Sequence, residues 1–199
     1  MEKERNGRNC RKKGCKFAHG EEDTSKEEED TSLIKLFKIL HTAEHKLDLC
    51  IYLFSEDKLS NFIKFLHEEK RVTVRVITDS DSSDEKKVKN KASSLKEAGI
   101  KVRMNVQDPG TKYKGLMHNK FVIVDDKTLI LGSLNWTING ILNNDESLII
   151  TNQRKLVRKC VDKFQELWSD NSKTSEFRVQ EPVATTSKAV DAAGVVNPE

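Results

Sequence analysis

Six residues in the middle of the chain stand at a spacing suited to phosphorus chemistry. His118, Lys120, Asp125, Gly132, Ser133 and Asn135 form the pattern H-x-K-x4-D-x6-G-S-x-N within MHNKFVIVDDKTLILGSLNWTINGILNNDE. An imidazole can bond covalently to phosphorus, while a lysine and an asparagine bring charge and hydrogen bonds to the non-bridging oxygens, where negative charge gathers in the transition state. Taken singly, His118 is an ordinary surface histidine, Lys120 a solvated strand lysine and Asp125 a turn residue. Their joint occurrence at fixed offsets outweighs those readings. The motif occurs once. Because the leaving oxygen must be protonated by a second group, one copy per chain implies that another chain supplies it.

The elements that must position these residues follow from apolar spacing. Leu33, Leu36, Phe37 and Leu40 predict a helix capped by Thr31 or Ser32 and running to about His45. The apolar run from Leu47 to Phe54 predicts a buried strand, Asp57 to Glu69 a helix, and Val72 to Thr78 a second strand. Ser82 to Ala98 reads as a charged helix ending at Gly99, and Ile100 to Met104 as a strand. Turn residues fill Asn105 to Gly115, which predicts an exposed loop just before the motif. Strands are expected at Lys120 to Val124, Thr128 to Leu131 and Glu146 to Thr151. Val157, Cys160, Val161, Phe164, Leu167 and Trp168 mark the buried stripe of a closing helix. This order predicts an α/β layered sandwich, a mixed central sheet with helices on both faces. His118 and Lys120 then share one side of a strand start, and Ser133 and Asn135 lie on the next strand's exit loop. Sheet ends of this sort are where α/β folds build sites.

At 199 residues, 36% hydrophobic and 34% charged, the chain suits one domain with tails. Basic residues outnumber acidic ones by 35 to 32, a balance that points to no particular partner. No apolar run reaches the length of a bilayer span, and no signal-peptide pattern follows Met1. Four cysteines make no disulfide framework, so a reducing compartment is expected; Cys50 and Cys160, on apolar faces, read as buried thiols.

With MHNKFVIVD, GSLNWT and the NNDE that follows, the sequence resembles the phospholipase D superfamily, whose signature is an H-K-D motif followed by G-S-x-N. The single copy is similar to the Zucchini and mitochondrial cardiolipin hydrolase subfamily, with similarity from Leu47 to Asp170. The expected catalytic domain covers 31–170, and composition predicts a charged segment over 1–30 and a disordered tail over 171–199. The resemblance implies a homodimer in which each protomer contributes one motif to a shared site. On that basis His118 of one protomer attacks phosphorus and His118 of the other protonates the leaving oxygen. Two imidazoles with an unperturbed pKa of about 6.5 can divide acid and base work near neutrality. Glu146 is the candidate that orients an imidazole, with a plain strand-start residue as its alternative; Asp125 likewise has a structural reading. Lys120, Gly132, Ser133 and Asn135 are the candidate phosphate-binding residues. No cofactor is expected for catalysis, since Lys120 and Asn135 take the part a metal ion plays in other phosphodiesterases.

A second constellation, Cys10, Cys15 and His19 in CRKKGCKFAHG, looks like the last three ligands of a C-C-C-H zinc finger, and structural zinc wants four. A first ligand lost with a truncated amino terminus, a degenerate site, or completion by His41 or His45 all stay open. The subfamily also carries an N-terminal membrane anchor. Residence on the cytosolic face of the mitochondrial outer membrane is therefore expected by resemblance, and a cytosolic protein if the chain is complete.

For substrate, the leading expectation is single-stranded RNA, cut by an endonuclease of the Zucchini type in piRNA biogenesis. Lys112, Lys114 and the lysines of the charged helix would follow its backbone. Trp136 could stack on a base or headgroup, though core packing suits the indole better. The alternative is phospholipase D action on cardiolipin at a membrane surface, giving phosphatidate. A non-catalytic RNA-binding scaffold is the third reading.

Overall fold

The computed structural model describes residues 31–79, 85–105 and 115–178. Its elements are α1 Ser32–His41, β1 Lys46–Ile51, α2 Asp57–Glu68, β2 Thr73–Thr78, α3 Glu85–Glu97, β3 Lys101–Asn105, β4 Lys120–Val124, β5 Thr128–Gly132, α4 Ile138–Leu142, β6 Leu148–Thr151, α5 Arg154–Ser169 and β7 Thr174–Glu176. The strands form one sheet in the order β6-β5-β4-β1-β2-β3-β7. Strands β1, β2 and β3 are parallel; β4, β5, β6 and β7 each join antiparallel. The predicted sandwich is observed. Leu47, Leu49 and Ile51 of β1 pack with α1, α2 and α3 on one face, whereas Cys50 meets Val157, Phe164 and Leu167 of α5 on the other. Burial on both faces explains why β1 is apolar almost throughout.

One exception within β1 is Asp48, 1% exposed, whose carboxylate accepts from Arg75 Nε and Nη2 at 2.7 Å each. The Arg75 guanidinium lies over the rings of Phe164 and Trp168, 4.8 and 5.1 Å from their centroids, so this charge pair is roofed by α5.

Several boundaries differ from expectation for tertiary reasons. Helix α1 stops at His41 rather than near His45, because the backbone N–H groups of Glu44, His45 and Lys46 turn to the Asp125 carboxylate. Strand β1 stops at Ile51; past Tyr52 the chain leaves β4, with Leu53 O accepting from Trp136 N at 2.9 Å and Phe54 bridging to Trp136. Helix α4, capped by the Thr137 hydroxyl, has too few residues to show a period. Residues 174–176 of the expected disordered tail, 171–199, form a strand instead. Thr174 to Glu176 pair with β3, and the buried Thr174 hydroxyl donates to Leu167 O while accepting from Arg103 Nε. That anchoring is polar, so apolar periodicity could not reveal it. Among the described residues no helix is long and apolar enough to cross a membrane.

Candidate active site

Antiparallel pairing of β4 with β1, of β5 with β4 and of β6 with β5 gathers four chain ends at one edge of the sheet. Lys120, first in β4, pairs with Ile51, last in β1, and Gly132, last in β5, pairs with Leu148, first in β6. Here the predicted alternation is realised. Lys120 Nζ stands 3.2 Å from His118 Nδ1 and 3.3 Å from Nε2, and donates to the His118 carbonyl at 3.0 Å. Tyr52, just past β1, lies against both: its ring centroid is 4.5 Å from that of His118 and 5.0 Å from Lys120 Nζ. No pattern in the sequence marked Tyr52; only its place at a strand exit beside the site did. Partial burial lowers the Lys120 ammonium's pKa, against the opposing pull of Glu146.

The G-S-x-N segment leaves β5 and is fastened on both sides. A Cβ at Gly132 would sit 1.9 Å from Ser147 O, so the close approach of the backbone leading into β6 requires glycine there. Ser133 is committed too. Its N–H donates to Ser147 O at 3.0 Å, its hydroxyl accepts from Ser147 N at 3.0 Å and donates to the Glu146 carboxylate. Glu146 also accepts from Asn144 Nδ2 at 3.0 Å. These two hydrogen bonds, Ser133 first, hold the Glu146 carboxyl below its usual range, with a smaller contribution from Lys120. Among the described residues the contacts of Glu146 are therefore with Ser133, Asn144 and the field of Lys120, not with the imidazole.

Asn135 is half-buried, and among the described residues its Oδ1 is a buried oxygen without a hydrogen-bond partner. A buried amide oxygen left unpaired is uncommon among folded proteins. Trp136 is not available for stacking on a substrate. It is 2% exposed, edge-on to Phe54, and its carbonyl accepts from both Ser55 N and Glu56 N at 2.9 Å, which ties the motif to the exit of β1.

Asp125 falls elsewhere. It follows the last residue of β4, so about 17 Å of strand separates it from Lys120. Its carboxylate accepts from Glu44 N at 2.9 Å, His45 N at 2.9 Å and Lys46 N at 2.8 Å. Burial pushes this carboxyl up, but the amides of Lys46, Glu44 and His45 outweigh it and hold the pKa below the usual value. In this structure Asp125, expected among the catalytic residues, has its carboxylate on the turn into β1.

Cys10, Cys15 and His19, like Lys112 and Lys114, lie outside the described residues. Among those described, no three His, Cys, Asp or Glu side chains gather as metal ligands would. Burial raises the Cys50 thiol's pKa far above its ordinary value, and the group packs 3.4 Å from Met117 Sδ; Cys160 is half-buried with its pKa raised in the same direction.

A family model described as "Cardiolipin synthase, PLD-like domain" matches residues 36–168. The chain belongs to the phospholipase D-like family. Mitochondrial cardiolipin hydrolase from Homo sapiens is 38% identical over 160 residues, which cover 80% of this chain and 56% of that protein. The Mus musculus protein of that name is 39% identical over 141 residues, 71% of this chain and 60% of its own. This phospholipase D-like chain thus spans little more than half the length of those curated relatives. Among solved structures, Nuc from Salmonella typhimurium, described as a phospholipase D family member, aligns with a TM-score of 0.64 at 19% identity over 77% of this chain and 95% of its own. NucT from Helicobacter pylori gives 0.63 at 24%, over 73% and 90%. These two share the fold.

Proposed function

We propose that this chain is one half of a phosphodiester hydrolase. An imidazole nitrogen of His118 attacks phosphorus; the bond from phosphorus to the leaving oxygen breaks, and that oxygen takes a proton from His118 of a second copy. Water then attacks the phosphohistidine, gives its proton to the second imidazole, and releases the phosphoryl product with His118 restored. The single observation that carries this reading is the ammonium of Lys120 within 3.3 Å of both ring nitrogens of His118, charge already in place where the phosphoryl oxygens would sit. The unpartnered Oδ1 of Asn135 supports it as a second polar group with capacity to spare. Catalysis proceeds without a metal ion, Lys120 supplying the positive charge.

A lipid diester of the cardiolipin type, at a mitochondrial membrane surface and yielding phosphatidate, is the substrate that the names of the relatives support. This reverses the preference for RNA drawn from the sequence. The RNA endonuclease reading keeps one supporting observation, a cleft of about 490 Å³ between α3 and α4 lined by Lys87, Asn90, Lys91, Thr137 and Asn139, although Lys91 there pairs with Asp57.

The test incubates purified protein, with and without chelator, with cardiolipin vesicles and with labelled single-stranded RNA. Phosphatidate release that survives chelator and vanishes in His118→Ala is expected. RNA cleavage without phosphatidate would move the protein to the second reading, and turnover retained by His118→Ala would end both.

A further inference from the structure

We infer that Asp79 is a positioning residue for His118, an inference that rests on reading His118 as the attacking group. His118 belongs to no regular element and is exposed, so its place is set by its neighbours in the chain. Both are held. Asn119 O accepts from Tyr52 N at 2.8 Å, and Met117 N donates to Asp79 Oδ2 at 2.9 Å. Asp79 N in turn donates to Tyr52 O at 3.1 Å, an oxygen that also accepts from the Thr78 hydroxyl at 3.2 Å. The bonds close a ring that runs from Met117 through His118 and Asn119 to Tyr52, on to Asp79 and back to Met117. The one side-chain link in that ring is the Asp79 carboxylate.

The chemistry of that link is costly for a purely space-filling role. Asp79 is 0% exposed at the exit of β2, and a carboxylate removed from water is tolerated only when hydrogen bonds replace hydration. Its Oδ2 receives a second donor, Asn105 Nδ2 at 3.0 Å, which also donates to Gly115 O at 2.9 Å. The end of β3 is therefore tied to Met117 through the Asp79 oxygen and to Gly115 directly, both in the segment that leads into His118. Met117 is further pinned by its side chain, 4% exposed and in contact with Cys50. Charge-assisted bonds of this kind are shorter and stronger than neutral ones, and they fix the imidazole's backbone against Lys120 and Tyr52.

The experiment compares Asp79→Ala, Asp79→Asn, Asn105→Ala and His118→Ala with the parent chain. A generic diester, bis(p-nitrophenyl) phosphate, makes the result independent of the lipid or RNA question. Turnover, the thermal midpoint and the His118 ring signal by NMR, identified by its loss in His118→Ala, are measured together. In Asp79→Ala, kcat is expected to fall on the order of 100-fold with KM little changed, because a displacement of about 1 Å costs that much. The His118 signal should shift. Asp79→Asn, whose amide oxygen can still accept from Met117, should recover most of the loss and return the signal towards its parent position. Should Asp79→Ala not fold, Asn105→Ala carries the test, with a loss of roughly tenfold and a smaller shift of the same signal. Folded variants with parental kcat and an unmoved His118 signal would overturn the inference and leave Asp79 a packing residue. Turnover surviving in His118→Ala would instead remove the functional reading, and the NMR shift would still report whether Asp79 positions the ring.

Discussion

The two ends of β4 carry residues from one sequence pattern and use them in opposite ways. At the Lys120 end, polar groups keep unspent capacity: an exposed imidazole, an ammonium whose pKa is lowered by partial burial, and an asparagine oxygen buried without a partner. At the Asp125 end that capacity is used up. The carboxylate takes three backbone N–H groups, Asp126 pairs with Lys46 Nζ at 2.8 Å, and Lys127 N closes the turn on Val124 O. Asp125 and Asp126, with φ of 50° and 54°, adopt the left-handed conformation at the two central positions of the turn that joins β4 to β5 and is closed by Lys127 N on Val124 O, and aspartate tolerates it better than most residues. Polar groups with capacity to spare mark the chemistry; fully paired ones mark the fold.

That contrast yields measurements, the largest effect first. His118→Ala should lower turnover on the order of 10⁴-fold or more while leaving the thermal midpoint in place, since the ring is exposed and what it loses is the bond to phosphorus. Lys120→Met removes the ammonium and keeps the stem; kcat should drop by about 10² to 10³-fold with little change in stability. The opposite signature is expected at the other end. Asp125→Ala strands three amides and should cost roughly 1–3 kcal/mol of stability, read by denaturant unfolding, while kcat per folded molecule stays near that of the parent. Loss of turnover in folded Asp125→Ala would erase the division between the two ends.

The smallest effect is one of pH. Because the folded pKa of Asp125 lies below its unfolded value of about 3.9, its contribution is fully present above that value and is lost as pH falls through the folded pKa. The stability gap between the parent and Asp125→Asn should therefore be widest near neutrality and narrow below about pH 4. A gap that stayed constant on acidification would show that the carboxylate's charge plays no part in holding the turn.

Much of this was legible in the residues. Helical spacing in Leu59, Ile63 and Leu66, and β-branched alternation in Val74 and Val76, placed α2 and β2 to within a residue of their observed limits. The contact between His118 and Lys120 followed from strand alternation. Tyr52 and Asp79 stayed hidden, because a tyrosine inside an apolar run and an aspartate in a polar stretch have no local signature. The close passage of Ser147 that requires glycine at position 132 is a tertiary contact, so the motif alone did not show it. Strand β7 is held by Thr174 and Arg103, polar partners 71 residues apart.

By itself the sequence determined which chemistry is present and which segments are helix or strand, since both depend on residue type and on periods of two and 3.6 that act over a few neighbours. Only the tertiary structure decided that the Asp125 carboxylate faces the turn into β1 while Lys120 meets His118, that Trp136 is core, and that β1 and β2 send Tyr52 and Asp79 to the His118 segment. Those outcomes depend on sheet order and register, where hydrogen bonds join residues dozens of positions apart and no local pattern can carry the information.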